Sequence, residues 1–189
     1  MRRSSLVVPL VLAAGLPLVL GQSLGGQDFG DAFTRERGTQ LDSAKDALEN
    51  APPPALVGTM WRNTARPVRL AEHVGDVVVV QFWSARSADA RLAMPVVDRL
   101  ATRFADEGLV VVGVHPGQHV QDMLLFLRQH PVSYPVCVDA GPTQSDYVAD
   151  GFPDYCLIDR FGTLRMADLA DAELEEAIGM LLAEPGPGG

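Results

Sequence analysis

The feature that most constrains this chain is residues 77–83, Val-Val-Val-Val-Gln-Phe-Trp, an apolar and β-branched run broken only by Gln81. Consecutive valines are stiff at χ1 and favour the pleated backbone, and a run without polar alternation has no face to present to water. It reads as a central strand buried on both faces. Such a strand needs a sheet with chain packed above and below it.

The periodicity that follows meets that need. Leu92, Val96, Val97, Leu100 and Phe104 recur at helical spacing, with Asp98, Arg99 and Arg103 off the stripe, which predicts an amphipathic helix. Beyond the Gly108 stop, residues 109–114 form a second buried strand, and Val120, Met123, Leu124 and Leu127 mark a second helix. Residues 134–138 read as a short strand, 145–148 as a short helical piece and 155–159 as another strand. Gly162 turns the chain into 163–167, and Leu174, Ala177, Ile178, Leu181 and Leu182 build a closing helix. Strands that alternate with helices, followed by a hairpin and a last helix, imply an α/β fold with a central mixed sheet covered on both faces. No repeat at solenoid spacing is visible.

A chain of 189 residues with 47% hydrophobic content has room for one domain plus appendages. Arg2 and Arg3 followed by the uncharged stretch 6–20 follow a secretory plan, so residues 1–21 are expected to be a signal peptide cleaved near Gly21 or Gln22. The stretch is short and contains Pro9 and Pro17, which suits a membrane span poorly, although an uncleaved anchor is the alternative. Residues 22–54 look like a flexible or weakly helical linker ending in Ala51-Pro52-Pro53-Pro54, residues 55–183 like the folded domain, and 184–189 like a disordered tail. The expected location is therefore secreted or periplasmic.

The formal net charge of −9 becomes −11 once the two arginines of the leader are removed, since residues 1–21 carry no acid. Such a chain is repelled by nucleic acid and anionic lipid, and no basic patch with interleaved aromatics offsets this, so nucleic-acid binding is excluded.

Four segments together resemble the extracytoplasmic thioredoxin-like proteins of the TlpA/ResA type within the redoxin group: residues 67–76, the frame from Phe82-Trp83 to Met94-Pro95, residues 108–114, and residues 151–162. The resemblance covers about 55–182 and implies a thioredoxin-like fold, with an extra βα insertion between the second and third core strands. It also implies where the family's redox cysteines would stand. The nucleophilic position is Ser87 and the resolving position is Ala90, and neither side chain can attack or resolve a disulfide. Pro153 matches the family's cis-proline. Phe152 before it matches the residue whose backbone meets an extended substrate peptide, and Asp154 stands where a threonine is common.

The remaining residues are read locally. Ser87 suits a helix cap and Asp89 the positive end of the helix dipole. Without a G-x-S-x-G elbow, a serine hydrolase is not supported. Arg86 and Arg91 flank the first helical turn, either as solvated cations or around an anion at the helix N-terminus. Cys137 and Cys156 each sit in an apolar strand. The family's strand order puts two strands between them, hence roughly 14 Å, too far for the ~7 Å limit of a disulfide. His115 and His119 are spaced i, i+4, but Pro116 and Gly117 between them break the helical face a metal site needs. Trp83 is expected to pack at a strand end and Trp61 to cover a sheet edge, with ligand stacking open to either. These residues predict no metal and no cofactor. They point to a binding module in which Trp83, Arg86, Ser87, Asp89, Phe152, Pro153 and Asp154 hold an extended peptide or protein partner. The alternative is a thiol-disulfide oxidoreductase or peroxidase acting through Cys156 or Cys137.

Overall fold

The computed structural model describes residues 29–36 and 38–188, so the expected signal peptide at 1–21 lies outside the described residues. Strands β1 (Gly58–Arg62), β2 (Val77–Phe82), β3 (Leu109–His115), β4 (Val136–Asp139), β5 (Asp154–Ile158) and β6 (Leu164–Ala167) form one sheet in the order β1-β4-β3-β2-β5-β6. The valine run is central. β2 pairs parallel with β3, Val77 opposite Leu109 through Phe82 opposite Val114, and antiparallel with β5, Val78 opposite Ile158 through Phe82 opposite Asp154. All six of its residues are buried.

The α-helices among the described residues are α1 (Asp42–Asp46), before the first strand, α2 (Ala88–Arg103), α3 (Val120–Gln129) and α4 (Thr143–Asp146), between strands, and α5 (Leu174–Ala183), after the last. Side-chain alternation splits the sheet into two cores. Val77, Val79, Tyr155, Leu157 and Met166 pack against α2 and α5, whereas Val78, Val80, Phe82, Cys156 and Ile158 pack against Tyr147, Val68 and Leu164. β4 and α4 lie between β3 and β5 in the chain, as the expected insertion does. The edge strand β1 approaches β4 closely: a Cβ on Gly58 would lie 2.5 Å from Cys137 Sγ, so only glycine lets the strands meet there.

Within the expected linker, several residues of 29–36 and 38–51 pack or pair with the domain. Phe29 and Phe33 are buried in the α2–α5 core. Asn50 N–H donates to Leu164 O at 2.7 Å and Leu164 N–H to Ala51 O at 2.9 Å, which pairs the otherwise open edge of β6. Glu49 accepts from Ala167 N–H at 3.0 Å. Two phenylalanines and Leu48 make no periodic stripe, so nothing local marks this segment as folded. Glu184, placed in the expected tail, accepts from Arg165 at 3.0 Å.

The two cysteines are free and buried, on β4 and β5, with β3 and β2 between them. Among the described residues no helix is long and apolar enough to cross a membrane.

Candidate functional site

The N-terminus of α2 meets the loop before β5. Ser87 is the N-cap of α2, with extended backbone (φ −83°, ψ 126°), and its Oγ accepts from Ala90 N–H at 3.2 Å. The same hydroxyl donates to Phe152 O at 2.7 Å. One lone pair and the one proton of Ser87 are thus committed, the first to an orphan helix amide and the second to the neighbouring loop. The Phe152–Pro153 peptide is cis.

Ser87, Phe152 and Pro153 are half-buried and line one seam, with Arg86 and Asp89 exposed at its rim. Ala90 lies one turn in and is buried. Arg86 Nη1 lies 3.1 Å from His119 Nε2, and Arg91 donates to Ala85 O at 2.8 Å, which ties the loop to the helix it feeds. Beyond the first turn, a cleft of about 490 Å³ opens between α2 and α3, lined by Ala88, Leu92, Pro95, Phe126 and Val132. Leu92 is 73% exposed there, an apolar side chain that no described residue covers.

Two of the expected binding residues lie elsewhere. Trp83 is fully buried, edge-on to His115 with ring centroids 5.0 Å apart, so it is available for packing and not for stacking on a ligand. His115 Nε2 accepts from Ala85 N–H at 3.1 Å, while its Nδ1 lies 2.8 Å from Pro116 O. Both bonds are made by the neutral ring with the proton on Nδ1, and burial lowers its pKa in the same direction. His115 thus ties the Trp83 ring to the backbone of Ala85, in the segment leading to α2.

Asp154 is the second correction. Its side chain points to the face of the sheet opposite α2 and enters a buried charge cluster. Lys45 Nζ, on α1, lies 2.6 Å from Asp150 Oδ1, 3.1 Å from Asp154 Oδ2 and 2.5 Å from Asp168 Oδ1. Burial raises the Asp154 pKa to about 6 against the opposing pull of Lys45, and Asp154 Oδ1 is buried without a hydrogen-bond partner. Burial alone would lower the Lys45 pKa. Hydrogen bonds to Asp150 and Asp168, with the Asp154 charge, reverse this and raise it. Among the described residues these three carboxylates are the one group whose ligand atoms close to within 4.8 Å of one another, and the ammonium lies among them. Lys45, Asp150 and Asp168 escape a local reading of the sequence. One signal was available: Lys45 is the only lysine among fifteen basic residues.

The cysteines offer no ready nucleophile. Burial pushes the Cys137 thiol up to about 12 and raises that of Cys156 well above the ordinary thiol range.

The profile of the AhpC/TSA family matches residues 50–167. Protein DipZ of Mycobacterium bovis is 27% identical over 183 residues, covering 90% of this chain and 26% of DipZ, so the chain spans about a quarter of that relative. A putative thiol:disulfide interchange protein DsbE from Chlorobium tepidum is 28% identical, with a TM-score of 0.61 over 71% of this chain and 96% of that one. A thiol-disulfide isomerase from Corynebacterium glutamicum is 25% identical, with a TM-score of 0.62 over 72% of this chain and 99% of that one.

Proposed function

This chain belongs to the AhpC/TSA family, and from that membership we propose that it is an exported redoxin that has kept the thioredoxin frame without Cys-x-x-Cys chemistry and holds an extended peptide or protein partner. The seam between Ser87, Phe152 and Pro153 is the binding edge, with Arg86 and Asp89 at its rim.

The observation that carries this reading is the state of Ser87. It occupies the helix N-cap where a thiolate would gain most from free amides and the macrodipole. Its proton is held by Phe152 O, and among the described residues no side-chain base hydrogen-bonds to it. Thiol-disulfide exchange needs an attacking and a resolving thiol, and Cys137 and Cys156 are buried on strands separated by two others. Their raised pKa values weigh against the enzyme alternative. Export is supported by the leader-like residues 1–21.

The test is insulin reduction with dithiothreitol, run on the full chain and on the S87C/A90C double variant. Inactivity of the natural chain with activity in the variant is the expected result. Activity in the natural chain would sink the binding reading, because one of the two cysteines would then be reactive.

A further inference from the structure

We infer that Lys45 is a positioning residue of the binding seam, so that the N-terminal segment is a working part of the site and not an appendage. The inference rests on the seam proposed above. Asp150 and Asp154 bracket the Phe152–Pro153 peptide, one two residues before it and the other immediately after. Both are held by the same ammonium, which also takes Asp168 just beyond β6. A lysine ammonium has three N–H donors, and three carboxylates receive them. An arginine fork could not converge on three separate acceptors in this way, which gives a physical reason for the chain's single lysine to stand here.

The charge balance makes the clamp necessary. Lys45 and Asp154 side chains are each 4% exposed and that of Asp168 is 7%, so these two carboxylates have little water to screen them, whereas Asp150 reaches the surface. Without the ammonium, three acidic groups within 4.8 Å of one another would repel in a low-dielectric setting. Asp154 is paired to β2 through the sheet, opposite Phe82. Asp150 lies in the loop and has no strand to hold it. The loop that carries Phe152 is therefore the part free to move, and with it the carbonyl that Ser87 holds on the other side.

The experiment uses K45M, which keeps the aliphatic stem and removes the charge, placed in the natural chain and in the S87C/A90C background. In that background the KM for insulin should rise about tenfold with kcat nearly unchanged, as for lost positioning of a bound chain. Millimolar calcium, offered to the three vacated carboxylates, should restore most of the KM in K45M and leave the parent unaffected. In the natural chain, amide exchange at residues 150–154 should quicken in K45M while the β2 and β3 amides stay protected. Unchanged KM, or exchange that quickens across the whole sheet with no calcium rescue, overturns the inference, because Lys45 would then be idle or would only support the fold. Should S87C/A90C itself be inactive, the redoxin-frame reading fails instead, and the exchange comparison still decides the role of Lys45.

Discussion

Ser87 Oγ lies 2.7 Å from the carbonyl oxygen of Phe152, joining residues 65 positions apart at the point where α2 begins and the strand-leading loop ends. Replacing Ser87 with alanine removes both the cap on Ala90 N–H and this donor. The expected loss is about 1–2 kcal/mol in urea unfolding, typical of a helix cap plus one hydrogen bond. A loss below a few tenths would mean that water replaces both bonds without cost.

Burial sets the thiol chemistry. A chromogenic aromatic disulfide should find neither Cys137 nor Cys156 in the native chain and both after denaturation, because both side chains are buried and their pKa values are raised. Rapid reaction of one thiol under native conditions would restore the enzyme alternative.

Asp154 links stability to pH in a defined direction. Its folded pKa, about 6, lies above the ordinary value of 3.8, so the folded state binds its proton more tightly than the unfolded chain does. The stability this contributes is full below about pH 4 and is lost as pH rises through about 6. Relative to D154N, which cannot ionise, the natural chain should therefore weaken between pH 4 and pH 7.5 by about 2–3 kcal/mol, roughly two pKa units at about 1.36 kcal/mol each. Urea midpoints and slopes for both chains across that range measure it, and a difference independent of pH would show that Asp154 titrates normally.

A single lysine makes the clamp directly readable by mass spectrometry. Acetylation at Lys45 in the native chain should run about two orders of magnitude slower than in urea, since the amine reacts only when the segment opens. D150N/D168N should speed native acetylation by loosening the ammonium, whereas equal rates in native and denatured chain would place Lys45 in solvent.

Much of the frame was legible from local pattern. Four valines before Gln81, the stripe from Leu92 to Phe104 and the Gly108 stop each act over a few residues, through side-chain sterics, periodic burial and backbone freedom. β2, α2 and β3 follow from them, and Ser87 as the cap of α2 is visible from the same pattern. The strand order that separates Cys137 from Cys156 came with the family resemblance and matches the sheet observed.

The charged half of the site was not legible in this way. Asp154 reads from sequence as a groove residue beside Pro153, yet strand alternation turns it to the opposite face, where Lys45, 109 positions earlier, meets it. Trp83, expected to pack at a strand end yet also counted among the binding residues, is sealed under His115 and Phe126, and that contact with residues far along the chain is what only the fold shows. The sequence by itself determined β2 to β6, the helices that flank them and the absence of a cysteine pair at 87 and 90, because these depend on neighbours along the chain, whereas β1 carried no local pattern that marked it as a strand. Only the tertiary structure decided that Asn50 and Ala51 close the β6 edge and that one ammonium gathers three carboxylates, because charges attract according to distance in space, and that distance is set by the sheet topology.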